Sequence, residues 1–380
     1  MPLSDDPVPG RPADAPLRHL VRGWYHRYFS DPQALILALL LLTGLAVVLL
    51  LGGLLTPVVA SIVLAYVLEA LVLRLVRLGL PRVLAVWLVF LLFLGALLVA
   101  VFALLPLLWR QLIELVQQLP EMVSRGNEML ATLPERYPNL VTAAQIDELA
   151  SVVRGQLRDY GQMVVSTSVS TITTLLVLLV YVVVVPVLVF FFLIDKERIK
   201  AWFSAYLPEQ RTLVTRVWIE MDVQIGRYVR GKVMEIVIVA GVSAVTFTTM
   251  GLQYALLLGV LVGISVLIPY IGAAVVTLPV AMVGFFQWGW SDQFAYLMAA
   301  YAVIQALDGN VLVPLLFSEA VNLHPVAIVV AVLVFGGIWG VWGVFFAIPL
   351  ATLIKTLLVV WPGVRNSAAA GAPQPDSSPS

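Results

Sequence analysis

The chain has 380 residues, of which 61% are hydrophobic and 12% charged, and its mean hydropathy is +1.00. Its 22 basic and 22 acidic residues cancel, so there is no basic surplus for binding nucleic acid. The absence of cysteine excludes disulfides, thiolate metal sites and cysteine nucleophiles. This composition predicts an all-α polytopic membrane protein.

Apolar runs of about 20 residues, the length that crosses a bilayer, predict about eight transmembrane helices plus a helical hairpin. Gly52, Gly53 and Pro57 divide the first long run into two spans, because glycine and proline interrupt helices. The predicted organisation in chain order is a cytoplasmic N-terminal segment 1–33, transmembrane helices 34–108, a small extracytoplasmic helical domain 109–168, a fourth span 169–194, cytoplasmic amphipathic helices 195–232, a C-terminal transmembrane bundle 233–362 and a disordered cytoplasmic tail 363–380.

Lys and Arg near the ends of the spans predict the orientation. One basic group surrounds Arg22, a second surrounds Arg77, and a third lies within 196–232. If the spans alternate, all three groups face the same side of the membrane. The positive-inside rule then places both termini in the cytoplasm.

The segment 233–354 contains no Lys or Arg, and its only acidic residues are Glu235, Asp292, Asp308 and Glu319. A charged side chain at membrane depth is costly, so each of these carboxylates is a candidate functional group. Glu235, like Glu69 in the second span, lies near a predicted cytoplasmic end. Both are expected to snorkel or to pair with nearby basic residues.

The strongest candidate site is centred on Asp308. Gln305 lies three residues earlier on the same helix face, and Asn310 adds an amide. Gly309 thins the helix and Pro314 removes a backbone donor, which frees carbonyl groups. Together these groups suit a monovalent cation or a polar solute. The alternative is that Asp308 caps a broken helix or pairs across the bundle, although the surrounding spans offer no Lys or Arg.

Two further features are candidates for the transport pathway. Pro269, Tyr270 and Gly272 break the hairpin 255–286 and expose backbone groups, as discontinuous helices do in transporters. An ordinary turn between helices is the alternative. His324 lies in a polar turn, where a histidine is a candidate proton sensor. The alternative is a histidine that only forms a backbone hydrogen bond.

Glycines are frequent in the last apolar segment, where close helix packing or hinge motion explains them. They are Gly336, Gly337, Gly340 and Gly343. The segment resembles the hairpin 255–286 in length and in having a central break, here at Trp339 and Gly340, and the two are candidates for an inverted repeat.

The order of the short motifs in the C-terminal half resembles that of the AI-2E family of bacterial permeases. The shared motifs are Tyr228, Arg230 and Gly231, Gly251 and Leu252, Ile268 to Gly272, Gln305, Asp308 to Asn310, Pro314, His324 and Pro325, Gly336 and Gly337, Gly340, and Ala347 to Leu350. The resemblance implies a multi-pass protein of the bacterial inner membrane and a homo-oligomer, for example a pentamer. It also implies that Gly231 and Pro349 serve in gating or packing. Lys232 departs from the pattern, since a glutamine is frequent there.

The resemblance leaves two substrates open. Export of a small polar solute similar to the quorum-sensing signal autoinducer-2 suits Gln305, Asn310 and Tyr270, whereas exchange of Na⁺ for H⁺ suits the titratable Asp308. A membrane scaffold that transports nothing is the alternative of another class. The sequence lacks hydrolase, metalloprotease and phosphate-loop motifs, so we expect no enzyme, no metal and no cofactor.

Overall fold

A computed structural model describes residues 32–131, 171–206, 212–317 and 323–360. Every regular element in these ranges is helical, which confirms the all-α prediction for them. The helices are α1 (Pro32–Arg77), α2 (Arg82–Val99), α3 (Leu105–Ala131), α4 (Thr171–Ile194), α5 (Lys196–Ala205), α6 (Thr212–Thr249), α7 (Ala255–Ser265), α8 (Ile271–Trp288), α9 (Asp292–Leu307), α10 (Val313–Phe317) and α11 (Pro325–Val360). Five-residue π-helical turns, Ala100–Leu104 and Asp308–Leu312, join α2 to α3 and α9 to α10.

The chain is a multi-pass membrane protein. In the described ranges, six helical runs are long and apolar enough to cross a membrane. A seventh is obtained if α4 is counted together with α5, from which it bends by 81°. The predicted number of eight spans is therefore not confirmed.

The turn predicted in the middle of the first apolar run is wrong. Helix α1 continues for 46 residues through Gly52, Gly53 and Pro57. An internal proline removes one helical hydrogen bond and need not end a membrane helix that neighbouring helices support. Gly52 serves close packing instead, because a Cβ atom there would lie 2.8 Å from the indole Nε1 of Trp339. Because α1 is continuous, the chain does not reverse its direction at these residues, and the predicted orientation depended on that reversal.

Three of the predicted domain boundaries lie inside helices, the first at residue 33 in α1, which begins at Pro32. Residue 108 is within α3, which continues to Ala131, and residue 232 is within α6. The amphipathic stretch before residue 232 and the apolar stretch after it are therefore one continuous helix. Most of the predicted extracytoplasmic domain, the first 31 residues and the C-terminal tail lie outside the described residues.

Helix α6 is central to the bundle, since it packs against α1, α7, α9, α10 and α11. Its approach to α7 is especially close. Gly259 and Gly263 of α7 face Ala244 and Ala240 of α6, and a Cβ atom on Gly259 would lie 2.6 Å from the Ala244 Cα atom. Small residues allow membrane helices to approach in this way. Three polar side chains of α6, Lys232, Glu235 and Ser243, are buried.

Ion pairs link α1, α2, α5 and α6 at one end of the bundle. Glu69 of α1 accepts hydrogen bonds from Arg82 of α2 and Lys196 of α5, each at 3.3 Å. Lys200 of α5 lies 3.3 Å from Asp222 of α6. Glu69 thus pairs with nearby basic residues, one of the two arrangements expected from the sequence. The start of α2, the start of α5 and part of α6 meet at this charged end.

Candidate functional site

A buried ion pair lies on α6. The Nζ atom of Lys232 is 2.7 Å from Oε2 of Glu235, and the two side chains are 5% and 2% exposed. Residues three apart lie on the same face of a helix, which places both side chains inside the bundle. Glu235 therefore pairs with a basic residue and does not snorkel. The spacing of three residues between Lys232 and Glu235 was the signal in the sequence. The domain boundary predicted at residue 232 separated the two residues and concealed this signal.

Lys232 also contacts the break between α7 and α8. Its Nζ atom donates to the carbonyl oxygen of Val266 at 2.9 Å. Val266 directly follows α7, where the last carbonyl groups have no partner within the helix. A cation is favourable at this negative end of a helix. On its other side, the ammonium lies 5.3 Å from the centre of the Phe317 ring on α10.

The break itself has an uncommon backbone conformation. Tyr270 has φ 64° and ψ −49°, and the Ile271 amide donates to the Pro269 carbonyl at 2.7 Å. These values describe a γ-turn of the rare, strained type. The Tyr270 side chain is exposed. Gly272 is buried, and a Cβ atom there would overlap the Ser265 carbonyl oxygen, so the return of α8 onto the end of α7 requires glycine.

Asp308 belongs to the same charge cluster. It begins the π-helical turn, which packs against α6. Its Oδ1 atom is buried and has no hydrogen-bond partner among the described residues. Its carboxylate interacts electrostatically with Lys232 and with Glu235. Lys232, which interacts with this carboxylate, lies one residue before the segment that lacks Lys and Arg.

Gln305, three residues before Asp308, begins a chain of hydrogen bonds that links α9 to α8. We call this chain the polar track. Gln305 Nε2 donates to the Tyr301 hydroxyl at 2.8 Å. That hydroxyl donates to the Ala273 carbonyl at 3.2 Å and lies 3.0 Å from the Thr277 hydroxyl. The polar track therefore runs from α9 to the first turns of α8, beside the strained break. Tyr301 and Thr277 are not among the residues predicted from the sequence.

The other predicted members of the Asp308 site are exposed. Asn310 Nδ2 donates to the carbonyl of Ala306 in its own helix at 2.9 Å. Gly309 and Pro314 are exposed on either side of the end of the π-helical turn. The structure thus brings Gln305 and Asp308 toward α8 and α6, whereas Asn310 makes a local contact. No group of three His, Asp or Glu side chains in the described part of the chain is arranged to hold a metal ion.

His324 lies at the start of α11. Its side chain is exposed, and Nδ1 accepts a hydrogen bond from the Val326 amide at 3.3 Å. Its carbonyl oxygen accepts a hydrogen bond from Ala327 at 2.8 Å. This arrangement is that of a helix N-cap, in which a side chain satisfies an amide of the first turn. His324 is not part of the buried charge cluster.

The predicted packing residues lie in several places. Gly231 is buried beside Lys232, and a Cβ atom there would lie 2.9 Å from the Phe317 ring. Gly336 meets Val344 across the break in α11, and Gly340 has φ 58° at that break. Gly337 has open space around it, and Pro349 is buried within α11.

Comparison with known proteins identifies relatives over most of the chain. A family model described as AI-2E family transporter matches residues 35–363. "Putative permease PerM" of Escherichia coli strain K12 is 48% identical over 339 residues, which cover 89% of this chain and 96% of the relative. "AI-2 transport protein TqsA" of the same organism is 22% identical over 338 residues, which cover 87% of this chain and 94% of the relative. The matched region includes the charge cluster and the polar track.

Proposed function

Because the chain belongs to the AI-2E family of transporters, we propose that it is a permease that exports a small polar solute similar to autoinducer-2 across the bacterial inner membrane. The name of TqsA, an AI-2 transport protein whose match covers 87% of this chain, supports this class of solute. Movement down the concentration gradient of the solute supplies the free energy.

The polar track is the observation that carries this proposal. A neutral solute rich in hydroxyl groups is recognised by amides and hydroxyls that both donate and accept hydrogen bonds. Gln305, Tyr301 and Thr277 offer such groups on facing helices that are otherwise largely apolar. Polar side chains at membrane depth are typical of substrate pathways, and a discontinuous helix beside them is typical of transporters.

The charged end of the bundle supports an orientation. Arg82, Lys196 and Lys200 lie near one another there, through their pairs with Glu69 and Asp222. The positive-inside rule places this end in the cytoplasm. The proposal includes the homo-oligomeric state that the family resemblance implies, which cross-linking in native membranes measures.

Release of preloaded autoinducer-2 from proteoliposomes tests the proposal. The samples are the wild-type protein, the Asp308→Asn variant and liposomes without protein. We expect wild-type release well above that of empty liposomes, and Asp308→Asn then measures the contribution of the carboxylate. Wild-type release equal to that of empty liposomes would overturn the proposed solute and favour a membrane scaffold.

A further inference from the structure

The environment of the Lys232 ammonium is that of a bound monovalent cation. A carboxylate oxygen of Glu235 lies 2.7 Å from Nζ, and the carbonyl oxygen of Val266 lies at 2.9 Å. The ring of Phe317 covers another side at 5.3 Å. Carboxylates, carbonyls of unwound backbone and the C-terminal ends of half-helices are the groups that coordinate coupling cations in transporters. The ammonium thus occupies a position that would suit Na⁺ or K⁺.

The charge balance of the cluster depends on this ammonium. Glu235 and Asp308 place two carboxylates close enough to interact inside the bundle. Removing such charges from water is costly unless an opposite charge accompanies them. Lys232 is the basic side chain that pairs with Glu235 and interacts with Asp308. Without Lys232, the carboxylates need a cation or a proton.

We infer that Lys232 is a tethered cation, which takes the place of a coupling ion in this protein and makes transport independent of Na⁺ and K⁺. The claim that transport is independent of Na⁺ and K⁺ rests on the proposed function. The claim that the ammonium occupies a cation position does not. Because the tether is covalent, the ammonium moves with α6 and is not released on either side of the membrane. Exchange of Na⁺ for H⁺ through Asp308 is therefore not the activity of this chain.

Replacement of the ammonium should uncover a cation site. In the Lys232→Gln variant, the Glu235 and Asp308 carboxylates and the Val266 carbonyl remain in place, and an amide oxygen is added. A small cation that binds only the folded protein raises its Tm in a concentration-dependent way. The wild-type protein should show no such response.

Thermal unfolding of the purified full-length protein in detergent tests this inference. NaCl, KCl and LiCl are each compared with N-methyl-D-glucamine chloride at equal ionic strength. We expect one of the small cations to raise the Tm of Lys232→Gln by about 2–4 °C when its concentration is about a hundredfold above Kd. The wild type should have the same Tm in all four salts. The Lys232→Gln/Asp308→Asn variant should lose most of the response.

Lys200→Gln is the matched control, because it also removes a lysine from an ion pair but lies at the charged end with Asp222. It should respond as the wild type does. A cation-dependent Tm of the wild type overturns the inference, and so does a Lys232→Gln protein that ignores all three cations. If Lys232→Gln aggregates in every buffer, the Lys232→Met variant, which also removes the ammonium and keeps both carboxylates, decides by the same criterion.

A second measurement concerns transport. Autoinducer-2 release by the wild-type protein should have the same rate in Na⁺ and in N-methyl-D-glucamine, whereas release by Lys232→Gln should fall at least several-fold without a small cation. If the wild type releases no autoinducer-2, the proposed solute is wrong, and the unfolding measurement still tests the tethered cation. A wild-type release rate that requires Na⁺ or K⁺ overturns the inference while leaving the proposed solute intact.

Discussion

The Lys232 ammonium donates to the Val266 carbonyl at 2.9 Å, and this bond ties the central helix α6 to the break between α7 and α8. The same ammonium neutralises Glu235 on its own helix at 2.7 Å. Movement of the break away from α6 must therefore separate Lys232 from the carbonyl. Since Asp308 interacts with both charged residues, the charge cluster links the break to the π-helical turn.

The first prediction concerns the stability of this cluster. Lys232→Met, measured without small cations, should lower the free energy of unfolding by about 3–5 kcal/mol, because it leaves buried carboxylates without a counter-charge. Lys232→Met/Glu235→Leu should recover a large part of that loss, since replacing both partners of a buried pair by apolar residues is often neutral. Denaturant unfolding in detergent measures both. A double variant that is no more stable than Lys232→Met would contradict the assigned pairing.

The second prediction concerns the return of α8 onto α7. Gly272→Ala should destabilise the protein by at least about 2 kcal/mol, because the new Cβ atom would overlap the Ser265 carbonyl oxygen and the break must open to admit it. Gly241→Ala is the control, since that glycine of α6 has nothing within 4 Å of its Cβ position. It should be neutral or stabilising, as alanine is the better helix former. Equal effects of the two substitutions on Tm would argue against the close approach.

Local sequence signals predicted some elements well. The γ-turn at Pro269 to Gly272 and the break at Trp339 and Gly340 lie where Gly and Pro indicated interruptions, and the structure departs from helix at both. The same kind of signal failed in α1. There the long apolar helix continues through Pro57, and Gly52 admits the indole of Trp339, which is 287 positions later in the chain. Contacts between residues far apart in the sequence decide whether a helix continues at such positions. Local helix propensity carries no information about those contacts.

The charge cluster shows the same limit. Asp308 and Glu235 were recognisable because charges are rare in the apolar segments. The relation of Asp308 to Lys232 was not, since it depends on the packing of α6 against the π-helical turn. Tyr301 was missed because an aromatic residue in an apolar helix is usually a packing residue. Its spacing of four residues from Gln305 was the available signal.

The third prediction concerns the polar track. Tyr301→Phe removes the hydroxyl that contacts Gln305, Ala273 and Thr277, and it should reduce autoinducer-2 release several-fold. The loss in unfolding free energy should be about 1–3 kcal/mol, because buried partners are left unsatisfied. Tyr296→Phe on the same helix is the control, since Tyr296 is 67% exposed. Unchanged release by a folded Tyr301→Phe protein would exclude that hydroxyl from the solute pathway.

The last prediction concerns the strained conformation of Tyr270. Its φ of 64° is unfavourable for any residue with a Cβ atom, at a cost of about 1–2 kcal/mol, and glycine adopts it without that cost. Glycine also loses more entropy on folding, by about 0.5–1 kcal/mol. Tyr270→Gly should therefore leave the free energy of unfolding unchanged or raise it by up to about 1.5 kcal/mol.

Tyr296→Gly is the matched control for this prediction, because Tyr270 and Tyr296 are 65% and 67% exposed and Tyr296 lies inside a regular helix. Glycine there should cost about 1 kcal/mol relative to a good helix former. Opposite signs for the two substitutions would establish that the backbone at residue 270 is strained in the membrane-embedded protein. A Tyr270→Gly protein that unfolds as readily as Tyr296→Gly would show that contacts of the tyrosine ring outweigh the strain. Normal stability combined with lost release would assign the ring itself to the solute pathway.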